Sequence, residues 1–416
     1  MRVTYPEMVA VFGRIGLLSF GGPAAQIGLM HRELVDRRPW LDERQFLSAL
    51  SFCMFLPGPE AMQLATFAGW RLRGIPGGLV AGGLFVLPGA LVILALTAIY
   101  IHFGSQQIVQ SMFLGVKAAV VVIVLQALIA VAKRALAGPA DRVLALLAFL
   151  GIFALGLPFP VIVLAAALWG AVATSAAPAA ARPAPPPARH SLTILAAGLA
   201  LWAAPVALAA ALGAERLTAI GLFFSRLAVV TFGGAYAVLA YMTQQVVQTE
   251  GWLTTAQMMD GLGLAETTPG PLILVTQFVG TLAAYQQGGW GAGLLGAAMT
   301  LWVTFVPCFV WIFVGAPYVD WITHQPRLAG ALHGIMAAVV GVIANLSLWF
   351  ALHVVFAEVG LHGAGPLRLP WPQLSSIDPL ALALAALAAL LLIGRGWPLG
   401  AVLAVSAVAG GLAGGL

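Results

Sequence analysis

Four short glycine- and proline-bearing segments are the parts of this chain best able to do chemistry. Two read Ser19-Phe20-Gly21-Gly22-Pro23 and Pro57-Gly58-Pro59; two read Thr231-Phe232-Gly233-Gly234 and Thr268-Pro269-Gly270-Pro271. Trp40-Leu41 stands between the first two and Trp252-Leu253 between the second two, so the second set follows the first at a constant offset of 212 residues. Pro23, Pro59 and Pro271 stand where a first helical residue is expected, with fixed φ, and the amides after them have no intrahelical acceptor. The helix dipole places partial positive charge there, and a glycine beforehand lets a ligand come close to the backbone. Such ends bind oxyanions.

Side chains near the breaks extend that chemistry. Arg14 and Arg226 occupy equivalent positions, each six residues before the aromatic of its Phe-Gly-Gly motif, or about 9 Å of helix. A guanidinium is a planar donor fork of permanent charge, which suits a clamp on a dianion; snorkelling to headgroups is the alternative use. Gln26, Gln63, Gln277, Ser19, Thr231 and Thr268 are neutral hydrogen-bonding groups beside the breaks. Lys117 lies inside the apolar run Ile108–Ala132, and its repeat counterpart is Met336, so a role in binding would be asymmetric. Glu60 directly follows Pro59, and Glu266 stands before the matching break where the first half has Met54. Glu60 reads either as helix-end compensation or as a proton carrier competing with a bound anion, and Glu266 is a second proton-coupling candidate. The seven histidines and two cysteines have no metal-ligand spacing, and no nucleophile–base pair or phosphate-binding loop is present. No catalytic residue, metal or cofactor is expected, and the chain does not read as an enzyme.

These segments sit in a membrane protein. At 61% hydrophobic and 8% charged residues the chain lies outside the range of soluble globules. Gly77–Ile101, Ile108–Ala132 and Gly291–Val314 are each long enough to cross a hydrocarbon core of about 30 Å. Leu380–Ile393 is shorter. The N-terminus, with Arg2 and Glu7, does not read as a cleavable signal. The net charge of +5 is concentrated in a few loops, as positive-inside bias requires, and does not point to nucleic acid.

Past the motifs the repeat continues at an offset of 219, pairing Pro88 with Pro307, Gly115 with Gly334 and Gln126 with Asn345. The predicted organisation is an N-terminal repeat over residues 1–175, an Ala/Pro-rich linker over 176–190, a connecting transmembrane helix over 191–213 and a second repeat over 214–416. The loop His31–Arg44 holds Arg32, Arg37, Arg38 and Arg44, whereas its counterpart Thr243–Ala256 has no Lys or Arg. Charge therefore predicts two repeats of opposite orientation. The expected fold is an all-α polytopic membrane protein built of two inverted-topology repeats. Its broken or re-entrant helices would meet at mid-membrane. Re-entrant hairpins and four broken but spanning helices both satisfy the pattern.

The string Phe20-Gly21-Gly22-Pro23 with Gln26, Trp40-Leu41 and Leu56-Pro57-Gly58-Pro59 with Gln63, repeated in part from Thr231 to Pro271, resembles the chromate ion transporter family in its long, two-domain form. The resemblance covers nearly the whole chain. It implies a multi-pass secondary transporter of the bacterial inner membrane, exporting chromate on the proton-motive force. The second half departs from the first at Ala235, where Pro23 stands, and at Leu272, where Glu60 stands. Sulfate or another anion, and a passive anion channel, are the competing functions. The expected partners are a chromate- or sulfate-like oxyanion and the lipid bilayer; a homodimer is one assembly the sequence leaves open.

Overall fold

The computed structural model describes residues 3–174, 189–232, 235–322, 325–362 and 369–414. The linker as far as residue 188, and Gly233 and Gly234, lie outside them. Helices α1 (Tyr5–Leu18) and α2 (Gly22–His31) flank the first break, and α3 (Glu43–Phe55) and α4 (Glu60–Phe103) flank the second. Next come α5 (Gln107–Ala135), α6 (Pro139–Phe153), α7 (Phe159–Ala173) and α8 (Arg189–Ala211). Helices α9 (Glu215–Val230), α10 (Ala235–Thr243), α11 (Thr255–Glu266) and α12 (Val275–Gly315) then repeat the pattern of α1 to α4. The chain continues through α13 (Val319–Ile322) and α14 (Pro326–Val355), strands β1 (Val359–His362) and β2 (Leu369–Pro372), α15 (Pro379–Ala389) and α16 (Leu399–Gly414). The short antiparallel β1–β2 hairpin is the one departure from the all-helical expectation among the described residues.

Among the described residues five helical stretches are long and apolar enough to cross a membrane: Glu60–Phe103, Gln107–Ala135, Ser191–Ala211, Leu272–Tyr318 and Pro326–Val355. The 44-residue α4 and the 41-residue α12 each carry a non-helical pair inside. In α4 it is Arg73 (φ −143°) with Gly74 (φ 65°), and in α12 Gly288 (φ −139°) with Gly289 (φ 64°). The two long helices therefore bend at equivalent places with nearly the same backbone angles.

The recurrence extends to other local devices. Asp42 and Gln45 form a capping box at the start of α3, and Thr254 and Gln257 form one at the start of α11. Each box answers amides that would otherwise lack acceptors where a helix rises from a loop. A π-turn follows α2 at Arg32–Asp36, and another follows α10 at Gln244–Thr249. In the first loop Arg37 and Arg38 each reach Glu33 at 2.6 Å, and Glu33 is buried. Two arginines on one carboxylate hold the loop that enters α3.

The chain divides into two compact units that cut across the repeats. One comprises Met1–Ala98, Ser175–Ala235 and Thr268–Ala329; the other comprises Ile99–Thr174, Tyr236–Thr267 and Gly330–Leu416. In the first, α8, α9 and α12 pack together. There the Trp202 indole donates to the Val303 carbonyl at 3.0 Å, and Trp302 donates to Leu201 at 2.9 Å. In the second, α5 packs on α15 and α16, with small residues at the crossing: a Cβ on Gly115 would strike the Ser406 carbonyl, and one on Gly410 the Ser111 carbonyl. Helices in lipid gain little from apolar burial against each other, so close backbone approach through such residues drives their association.

Candidate functional site

All the described break residues fall in the first unit. Helix α1 ends where the Ser19 hydroxyl turns back to donate to the Ile15 carbonyl at 2.6 Å. Helix α9 ends the same way, Thr231 donating to Leu227 at 2.6 Å. Both hydroxyl protons are thus used within their own helices, which leaves these groups as acceptors. Beyond Ser19 the chain turns at Gly21 (φ 87°), and α2 begins at Gly22 (φ 78°).

The Pro-Gly-Pro segments are tied to the opposite repeat. The Gly58 amide donates to the Thr231 carbonyl at 2.8 Å, and the Gly270 amide donates to the Ser19 carbonyl at 2.8 Å. These bonds are counterparts under the 212-residue offset. Each Pro-Gly-Pro turn satisfies a carbonyl that the other repeat's helix end leaves without an intrahelical donor. Gln26 strengthens one of them, its side-chain nitrogen donating to the Gly270 carbonyl at 2.7 Å and to Ser19 at 3.3 Å. Gln63 donates to the Pro57 carbonyl at 2.8 Å and Gln277 to Ala90 at 3.1 Å, while the carbonyl oxygen of each side chain is buried without a hydrogen-bond partner.

A recess opens among these segments, lined by Pro23, Gln26, Pro59, Glu60, Thr231 and Pro271 together with Ala61, Leu272 and Ile273. It holds about 310 Å³ of empty space, its open mouth included. Three helical starts border it: α2, α4 and the 3₁₀ turn Leu272–Leu274 that leads into α12. Pro23 is the second residue of α2, and Pro59 and Pro271 stand just ahead of the first helical residue. Neither α2 nor the Leu272 turn has a side-chain cap, unlike the loop-starting α3 and α11. The first repeat's turn is the more open: Pro57 and Pro59 are partly exposed, whereas Pro269, Gly270 and Pro271 are buried, as is Thr268. Phe20 is exposed and Phe232 partly so.

The charged candidates are divided between the two units. Glu60 is on the recess wall in the first turn of α4. Arg14 and Arg226 sit on the exposed faces of α1 and α9, outside the recess lining. Lys117 and Glu266 belong to the second unit, each with a partner that sequence reading did not name. Lys117 Nζ lies 2.9 Å from Asp260 Oδ1, and the Tyr100 hydroxyl donates to Asp260 Oδ2 at 2.9 Å. The Tyr236 hydroxyl donates to Glu266 Oε1 at 3.0 Å. Asp260 was legible in principle, since an acid within Met258–Ala265 is costly in a membrane segment. It has no like residue at its repeat position and lies away from the break, so the repeat comparison passed over it. Among the described residues no group of three or more His, Cys, Asp or Glu could hold a metal ion.

The chain is similar to known proteins along most of its length. The sequence profile of the chromate transporter family matches residues 6–171 and 218–414. The chain is 34% identical over 362 residues to a chromate transport protein of Pseudomonas aeruginosa, covering 83% of this chain and 81% of that one. It is 31% identical over 342 residues to a chromate transport protein of Cupriavidus metallidurans, covering 82% and 81%. An uncharacterized transporter of Methanocaldococcus jannaschii is 27% identical over 345 residues, covering 82% and 83%. No solved structure matches the chain significantly.

Proposed function

The chain belongs to the chromate transporter family, and from that premise we propose a secondary transporter that exports chromate across the inner membrane on the proton-motive force. The recess among the break segments carries the reading. Uncapped helical starts from both repeats border it, and a tetrahedral dianion is the ligand such ends favour. The Gly58 and Gly270 amides are already committed to Thr231 and Ser19. The donors that remain are the amides following them, at Glu60, Ala61, Leu272 and Ile273, with the Gln26 side chain holding the wall. Arg14 and Arg226, being exposed, act on the approach by drawing the anion toward the mouth. Glu60 and Glu266 are the proton carriers. An inside-negative potential favours outward movement of a dianion by about 4–5 kcal/mol per 100 mV, which suits export.

The opposed orientation of the repeats belongs to the same proposal. It is supported by the loop arginines and by the reciprocal bonds from Gly58 and Gly270, an exchange that a two-fold relation produces. Single cysteines at Arg44 and Gln257, in a background lacking Cys53 and Cys308, are expected to label from opposite faces of sealed vesicles. Labelling of both from one face would contradict inversion.

The direct test is radiolabelled chromate flux in proteoliposomes, with and without an imposed pH gradient. Purified protein is expected to accelerate chromate movement and to accumulate it when the gradient is present. Flux that ignores the gradient would point to a passive channel instead.

A further inference from the structure

The acidic and basic groups of the membrane interior are distributed unequally between the repeats, and the inequality centres on α11. Asp260 and Glu266 both lie on this helix, both are buried, and each accepts a tyrosine hydroxyl. Under the repeat offsets, Asp260 corresponds to Ser48 and Glu266 to Met54. Their partners change in parallel: Tyr236 corresponds to Ala24, Lys117 to Met336 and Tyr100 to Val319. The repeat-related set of positions therefore lacks the entire arrangement. Packing alone does not call for these partnered ionisable groups, because the counterparts Ser48, Met54, Ala24, Met336 and Val319 meet it without them.

The Asp260 site is built rather than incidental. Helix α11 meets α5 closely enough that a Cβ on Gly263 would lie 2.5 Å from Val116 Cγ1. This contact is one turn along α11 from Asp260 and one residue from Lys117, so the small residue lets the ammonium reach the carboxylate. The Asp260 side chain is 10% exposed and that of Lys117 18%. Lys117 is about 15 Å from the start of α5, a depth within the hydrocarbon region. A charge pair at such a depth is costly to keep and usually functional. Lys117 faces Asp260 from α5 and Tyr100 faces it from α4; Tyr236, on α10, faces Glu266.

We propose that Asp260, held by Lys117 and Tyr100, is a second proton-binding site, on the same helix as Glu266, and that α11 is the coupling arm of the transporter. Protonation of Asp260 neutralises the carboxylate and frees the Lys117 ammonium from its ion pair; loss of the proton restores the pair. That two-state contact gives α11 a buried reason to respond to pH, whereas α3 has the non-titrating Ser48 at the corresponding position. The inference rests on the proton-coupled reading above.

The test uses the whole protein in proteoliposomes carrying a lumenal pH dye, with chromate as the probe. Chromate exchange at equal pH is measured beside accumulation driven by a pH gradient and the accompanying proton movement. In Asp260→Asn, gradient-driven accumulation is expected to fall about tenfold or more while exchange stays within about threefold of the parent. The pair Lys117→Met with Asp260→Ser installs the residues the other repeat uses and leaves no unpaired buried charge. It is expected to behave likewise if Asp260→Asn alone does not fold. Tyr100→Phe should shift the pH profile of accumulation without removing it. Gradient-driven accumulation with coupled proton movement at the parent level in either variant overturns the proposal. Loss of exchange together with accumulation in both folded variants overturns it too, by making the cluster part of the framework. If the parent protein itself ignores the gradient, proton coupling fails first, before any variant is made, and this site falls with it.

Discussion

Replacing Gly58 with alanine is expected to abolish chromate flux and to destabilise the protein by about 2–5 kcal/mol, adding backbone strain to overpacking. Gly58 has φ 123°, a conformation L-residues rarely adopt, and a Cβ there would lie 2.7 Å from Cys308 Sγ and 2.9 Å from Gln63 Nε2. Relief of either contact moves the turn, and the turn carries the amide that satisfies Thr231 at the end of α9. The damage would thus reach both repeats. Two further glycines set the scale. Gly270 has φ 89°, and its Cβ would meet the Phe85 carbonyl at 3.3 Å, so alanine there should be intermediate. Gly74, at the α4 kink, has φ 65° and ψ −157°, a region essentially restricted to glycine, with nothing within 4 Å of an added Cβ; alanine there carries a backbone penalty of about 1–3 kcal/mol and no steric clash. Thermal melting of the purified protein with proteoliposome flux checks the ranking. If Gly74→Ala is as damaging as Gly58→Ala, steric crowding at the Pro-Gly-Pro turn is not what makes it sensitive.

Glycine and proline are the residues whose backbone preferences survive any tertiary context, and for that reason the breaks could be placed from sequence. The ends of α1, α3, α9 and α11 fall at the marked segments. The long apolar runs became α4, α5 and α12 for an equally local reason, since lipid-spanning length is set by composition. What remained hidden depends on which distant groups meet. The bonds from Gly58 to Thr231 and from Gly270 to Ser19 join residues far apart in the chain, and no periodicity announces them. They removed two amides from the donors available to an anion, and the intrahelical bonds of Ser19 and Thr231 removed two hydroxyl protons. The pairing of Arg14 with Arg226 was visible as a repeat, but which face of its helix each occupies was not; both turned out exposed. Lys117 was recognisable as an unmatched charge. Its partner Asp260 was not, because the repeat comparison favours residues that recur.

The Glu60 carboxylate decides how the recess responds to pH, and Glu60→Gln is expected to tighten dianion binding at neutral pH by about 10–100-fold. The carboxylate borders the recess in the first turn of α4, where the helix end would otherwise present only partial positive charge. An ionised Glu60 repels a bound dianion and competes for the same end; protonation removes both effects. In the parent, binding should therefore strengthen as pH falls and weaken as it rises, and in Glu60→Gln that dependence should flatten. Titration calorimetry of purified protein between pH 5 and 8 measures it, with sulfate beside chromate because chromate itself takes up a proton below neutrality. Accumulation driven by a pH gradient should fall in the same variant, since a site whose anion affinity no longer follows its own protonation binds well and releases poorly. The second repeat has Leu272 at this position, so one acid serves a recess bordered by helical starts from both repeats. Weaker binding in Glu60→Gln with an unchanged pH slope would assign Glu60 to helix-end compensation and leave proton exchange at α11 alone.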